Sequence, residues 1–123
     1  MRMLILKGRE VMGRFYKGIG LIKSLVGECK NGVIYKGIGL YSKAIGEYRD
    51  NRIYKGIGFF SQPIGQIKDN RIYRGIGFYT TPIGEFRDGT IYSGITFMQR
   101  NIIGSADDIE GAAALLLLQL ELI

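Results

Sequence analysis

The chain has 123 residues, with 17 Lys and Arg against 11 Asp and Glu, a formal charge of +6, one cysteine and no histidine. That length suits a single domain with its own core; the absent imidazoles remove the commonest metal ligand and general base, and one cysteine leaves no internal disulfide. The composition therefore leans away from metalloenzyme and triad chemistry, leaves carboxylate catalysis open, and favours anionic partners in a general way.

Residues 1–20 read as a degenerate first repeat, with Leu4-Ile5-Leu6 as a strand and Met12-Gly13 at a turn. Met3-Leu4-Ile5-Leu6 is too short for the apolar region of a secretory leader, so the cytoplasm is the expected location unless the chain is part of something longer. The first unit ends in Phe15-Tyr16-Lys17-Gly18, and that phrase returns as Ile34-Tyr35-Lys36-Gly37, Ile53-Tyr54-Lys55-Gly56, Ile72-Tyr73-Arg74-Gly75 and Ile91-Tyr92-Ser93-Gly94, its tyrosines 19 residues apart throughout. A strict period of this length marks a repeat architecture, in which each unit buries its apolar face against its neighbours. The clean repeats occupy 21–104.

Within them, Asn31-Gly32, Asp50-Asn51, Asp69-Asn70 and Asp88-Gly89 stand between two β-rich runs. These residue types tolerate the positive φ of two-residue type I′ turns, so each repeat is predicted to be a β-hairpin. Two-residue turns set the register: Cys29 faces Ile34, Tyr48 faces Ile53, Ile67 faces Ile72 and Phe86 faces Ile91, four apolar pairs that a one-residue slip would destroy. In the first unit the same count puts Glu10 opposite Phe15. An apolar run follows each phrase, such as Ile57-Gly58-Phe59-Phe60 or Ile76-Gly77-Phe78-Tyr79, and stops near Pro63 or Pro82, residues that lack an amide donor and fit a strand start. Taken as part of the strand, this run makes both faces apolar and predicts burial on both sides, in a sheet that rolls up, closes or is covered. The paired glycines beside each tyrosine suit bends, bulges and close approach. The tail 105–123 supplies a cover: Ser105 followed by Asp108 reads as a capping box, and Ala112–Leu118 as a helix apolar all round that plugs the sheet or pairs with another copy, with a final strand at Leu120-Glu121-Leu122 as the alternative.

The fold class expected is thus all-β: five hairpin repeats of about 19 residues in a rolled or closed up-and-down meander with a short C-terminal capping helix. The phrase Tyr54-Lys55-Gly56-Ile57-Gly58 resembles MORN repeats, which implies hairpins stacked into an elongated sheet that scaffolds proteins or contacts lipids. The length and hairpin layout are also similar to the choline-binding repeats of bacterial surface proteins, although the tryptophans of their cages are absent. The 19-residue spacing and the elements Pro63-Ile64-Gly65 and Pro82-Ile83-Gly84 depart from MORN repeats.

Lys17, Lys36, Lys55 and Arg74 form one basic column and Lys30, Arg49, Lys68 and Arg87 another, while the register opposes Arg49 to Arg52 and Lys68 to Arg71. Repeated like-charge pairs suggest a polyanion-binding strip, with the tyrosines stacking on bases or sugars. Against this, Glu28, Glu47 and Glu85 with the turn residues Asp50, Asp69 and Asp88 make a self-neutralised ladder, and the tyrosines read as core. Turn chemistry, and not calcium, explains the aspartates; Gly18-Ile19-Gly20 is no dinucleotide fingerprint; Cys29 reads as a small core residue. No cofactor and no metal are expected. The leading expectation is a non-enzymatic binding or scaffolding module for a protein partner, with self-association through Ala112–Leu118 as a further option. The alternative is a polyanion binder for nucleic acid, anionic glycan or a membrane surface. Catalysis by the glutamate column is disfavoured, since it needs two groups in different environments and repetition supplies copies of one.

Overall fold

The computed structural model describes residues 12–94 and 101–123. Ten antiparallel strands follow one another: β1 (Met12–Lys17), β2 (Ser24–Lys30), β3 (Val33–Lys36), β4 (Lys43–Arg49), β5 (Arg52–Lys55), β6 (Gln62–Lys68), β7 (Arg71–Arg74), β8 (Thr81–Arg87), β9 (Thr90–Ser93) and β10 (Asn101–Ala106). Each pairs with its neighbours in sequence, and β1 pairs with β10 to close the sheet into a barrel. One helix, α1 (Ile109–Gln119), follows. The MORN-like reading implies an open stack; here the sheet returns on itself.

The hairpin register is the one that the turn chemistry predicts: Cys29 pairs with Ile34, Tyr48 with Ile53, Ile67 with Ile72 and Phe86 with Ile91. Asp50 and Asn51 hold φ of 52° and 62°, and Asp88 and Gly89 hold 49° and 81°, the left-handed values that two-residue hairpin turns require. The first unit departs from expectation. Met12-Gly13 is not a turn but the start of β1, which lies between β2 and β10, so the fifth strand pair is made of two six-residue strands far apart in the chain. Leu4-Ile5-Leu6 and Glu10 lie outside the described residues.

A ten-stranded barrel is wider than the roughly eight strands whose own side chains fill the interior. The inward column Phe15, Ile34, Ile53, Ile72 and Ile91 is fully buried yet leaves a central space, and α1 occupies it with Gly111–Leu117 buried and flanks on β1, β2, β5, β6, β7, β8 and β10. The helix is thus the plug that its apolar circumference demands. Its fit depends on glycines that follow β-bulges. The bulges fall at Val26, Ile45, Ile64, Ile83 and Ile103, and three of the glycines that follow face the plug, Gly104 toward Leu115, Gly84 toward Leu116 and Gly65 toward Leu117, while Gly46 faces Ile123 of the tail and Gly27 faces Phe15 of β1. The Pro-Ile-Gly elements therefore seat the plug.

The helix cap differs from the predicted capping box. Ser105 sits in the β10 ladder opposite Tyr16, and Asp108 is the N-cap, accepting from the Gly111 N–H at 3.1 Å. The tail after Gln119 turns and forms no strand. Burial holds the Asp108 carboxyl above its ordinary range, opposed by the Gly111 hydrogen bond and reinforced by Asp107. An acid whose folded pKa is raised favours the fold most below its unfolded pKa and loses that contribution as pH rises through the folded value. Asp108→Asn keeps an oxygen for the cap and discards the charge. It is expected to be the more stable protein near neutral pH, with urea midpoints converging with the wild type in acid; a variant less stable at neutral pH would show that the helix N-terminus favours the anion more than burial penalises it.

Candidate functional site

Two ends of the barrel differ in construction. At one end the hairpin turns are short and polar. At the other, the six-residue connections 18–23, 37–42, 56–61 and 75–80 carry the apolar runs that the sequence places in the strands. They are not strands. Gly37 (φ 85°) turns the chain off the end of β3 and Gly39 (φ 63°) opens a single helical turn, closed by Tyr41 N–H to Ile38 O and Ser42 N–H to Gly39 O, both at 3.3 Å. Equivalent short turns stand at Gly20–Ile22 and Gly58–Phe60. The expectation of burial on both sides fails here, because the lumen is already filled by α1 and these tips have nowhere inside to go.

The consequence is a ring of exposed apolar side chains. Leu21, Leu40, Phe59 and Phe78 are 105%, 98%, 101% and 99% exposed, as open to water as in an unfolded chain, and Ile22, Tyr41, Phe60 and Tyr79 beside them are exposed as well. Burying such a side chain is worth about 1.5–3 kcal/mol, which the isolated barrel forgoes at each of these four tips. Exposed apolar surface of this extent is a mark of an interaction site.

Behind the tips stand cations. The strand alternation that turns Phe15, Ile34, Ile53 and Ile72 inward also turns Lys17, Lys36, Lys55 and Arg74, two residues on, toward the mouth. There Lys17 and Lys36 stand beside Leu118 and Gln119 at the C-terminal end of α1, whose last turn has no basic residue of its own, so the barrel supplies the charge that the helix dipole favours. Lys17 and Lys36 line a cleft of about 190 Å³ over Val26, Leu115 and Leu118. Lys43 stands opposite Lys36, and Lys23 lies 4.5 Å from the Tyr16 ring.

The other basic column is spent on the wall. Arg49 meets Glu47 at 2.8 Å, Arg14 meets Glu28 at 3.6 Å, and the fully buried Glu85 lies between Arg71 at 3.3 Å and Arg87 at 3.9 Å. Arg49 and Arg52 are opposed, as are Lys68 and Arg71, in the predicted register. The shallow groove beside them is lined by both signs, including Lys68, Asp69, Arg71, Glu85 and Arg87. Lys30 lies over Tyr35. The predicted polyanion residues are therefore split between two places: Lys17, Lys36, Lys55 and Arg74 at the rim, and Lys30, Arg49, Arg52, Lys68, Arg71 and Arg87 along the wall toward the polar turns, among carboxylates.

The tyrosine column is another correction. Tyr16, Tyr35, Tyr54 and Tyr73 are half-buried on the outer wall, one residue out of phase with the isoleucines that form the core, and Arg49 lies 3.9 Å from the Tyr54 ring. Glu47, on the same outer face, accepts from the Gly58 N–H at 3.0 Å; that bond and Arg49 hold its carboxyl below the usual range. It ties the 56–61 loop to the wall. Cys29 is buried, and desolvation, with Asp108 and Glu110 adding to it, pushes its thiol far up, so it is a core residue and no nucleophile. Among the described residues no cluster of His, Cys, Asp and Glu has the makings of a metal site. The exposed tips are the feature that reading the sequence misses; the signal was the glycine pair, which marks the run as a turn.

Fold and site together define a class: a closed ten-stranded meander barrel, plugged by its own helix and bearing an apolar, cation-backed rim at one end. Comparison with protein-family models, curated proteins and solved structures finds no match.

Proposed function

We propose that this protein is a non-enzymatic binding module that meets its partner end-on, with the loop rim as its docking face. The observation that carries this reading is the full exposure of Leu21, Leu40, Phe59 and Phe78 at one end of a barrel whose interior is already packed. Apolar residues that the fold does not use, repeated in the same place in successive units, are what a docking surface needs. The wall supports no comparable reading, since Arg14, Arg49, Arg71 and Arg87 already have carboxylate partners.

The test compares the wild type with Phe59→Ser/Phe60→Ser/Phe78→Ser/Tyr79→Ser on a phenyl resin in a falling ammonium sulfate gradient, alongside thermal unfolding of both. The variant is expected to elute earlier and to unfold at an unchanged midpoint, because the removed side chains make no core contact. Equal retention, or a large drop in the midpoint, would mean that the tips serve packing and that the docking face lies elsewhere.

A further inference from the structure

Resting on that docking reading, we infer that the partner is an anionic lipid bilayer, on which the barrel stands with its loop tips among the acyl chains and its mouth cations at the headgroups. Three observations select this partner. The first is layout. A protein–protein interface has an apolar, charge-depleted centre and a polar periphery. This rim is inverted: Lys17 and Lys36 stand at the mouth, and the apolar tips are carried around them on separate loops, one of them tied to the wall by the Gly58–Glu47 bond. Separate tips cannot form one continuous contact with a rigid partner, whereas a fluid bilayer closes around each of them.

The second observation is the type of side chain. Leu and Phe sit beside Tyr41 and Tyr79, rings with an apolar body and a polar end, the kind of residue enriched at the level of lipid headgroups. The third is the charge. Lys17, Lys36, Lys43, Lys55 and Arg74 are exposed behind the tips with Glu121 as the acid near the helix end, whereas at the opposite end Asp50, Asp69, Asp88, Asp107, Asp108 and Glu110 are matched by Lys30, Arg49, Arg52, Lys68, Arg71 and Arg87, so the excess of positive charge lies at the mouth. A basic layer behind an apolar one matches the order of an anionic bilayer, whose surface potential attracts each added Lys or Arg. A second copy of this chain is a poor occupant, since rim-to-rim docking sets like charges face to face. The barrel lies on the bilayer and does not span it: its strands have four to seven residues where crossing takes about 9–11, and its wall bears Arg14, Glu28, Glu47 and Arg49.

The test is flotation of the full chain with vesicles of phosphatidylcholine alone and of phosphatidylcholine mixed with phosphatidylglycerol. The wild type is expected to float with the mixed vesicles, less so in high salt. Phe59→Ser/Phe60→Ser/Phe78→Ser/Tyr79→Ser should weaken partitioning by at least about tenfold. Lys17→Gln/Lys36→Gln/Lys55→Gln/Arg74→Gln should erase the preference for phosphatidylglycerol. Each variant is first shown to unfold as cooperatively as the wild type. Failure of the wild type to float with either vesicle, while phenyl-resin retention still depends on the tips, overturns the lipid inference and leaves the docking face standing for a protein partner. Flotation that ignores the tip substitutions overturns both, since charge alone then does the binding.

Discussion

Replacing Leu117 by aspartate is expected to leave a chain with no cooperative fold. Leu117 is fully buried in the lumen, with its side chain against Gly65 on β6. Truncation to alanine alone should remove about 2–5 kcal/mol through lost transfer energy and the cavity left behind. Aspartate adds an uncompensated charge at the centre of a barrel, worth several kcal/mol more. Together these match the whole stability of an ordinary domain, about 5–15 kcal/mol. Near-UV circular dichroism and urea unfolding provide the readout, with half-buried Leu118, one residue nearer the mouth, as the control position: Leu118→Asp should retain a cooperative transition. If Leu117→Asp unfolded near the wild-type midpoint, α1 would not be the plug, and the barrel would have to be filled in some other way.

The second large effect is expected at the seam. A Cβ at Gly104 would run into the Tyr16 carbonyl oxygen and come within 2.8 Å of Leu115 Cδ2. The side chain of Leu115 can give way, but the Tyr16 carbonyl belongs to the ladder that closes the barrel, in which Phe15 pairs with Ala106, Tyr16 with Ser105 and Lys17 with Gly104. Gly104→Val must therefore displace backbone at the one join whose two strands come from opposite ends of the fold. Overpacking in a core typically costs about 1–3 kcal/mol, and here the lost pairing of β1 is added to it. Gly77→Ala makes the instructive contrast. Nothing lies within 4 Å of a Cβ there, and only its φ of 71° opposes a side chain, a strain of about 1–2 kcal/mol. Gly104→Val should lower the unfolding midpoint more than Gly77→Ala and release the amides of β1 to hydrogen exchange. The reverse ranking would show that close approach to β1 and the plug does not require glycine at 104.

Local chemistry made much of this fold legible. Asp50-Asn51 and its counterparts announced two-residue turns, and those turns fixed the pairs Tyr48–Ile53 and Phe86–Ile91, because register within a hairpin is a matter of counting from the turn. The apolar run Ala112–Leu118 announced a helix with no wet side. Where the reading failed, the information was not local. Ile57-Gly58-Phe59-Phe60 has the composition of a buried strand, yet Phe59 is fully exposed, since burial depends on whether the interior has room and α1 had taken it. The tyrosines looked like core for the same reason: once Ile53 and Ile72 face inward, Tyr54 and Tyr73 must face out, and only closure decides which side is in.

The basic residues show the same division. Their 19-residue spacing was plain in the sequence, but Lys55 and Arg49 belong to different environments, one at an open mouth and one beside Glu47 on the wall. By itself, the sequence determined the repeat and the turns and register of the four hairpins from Ser24 to Ser93, all of which depend on residues within about one repeat of each other. Tertiary structure alone decided that β1 meets β10, that the helix enters the lumen, that post-bulge glycines seat it, and that the displaced apolar loops crown one end. Those outcomes depend on the circumference of the closed sheet and the volume left inside it, quantities that no single repeat contains.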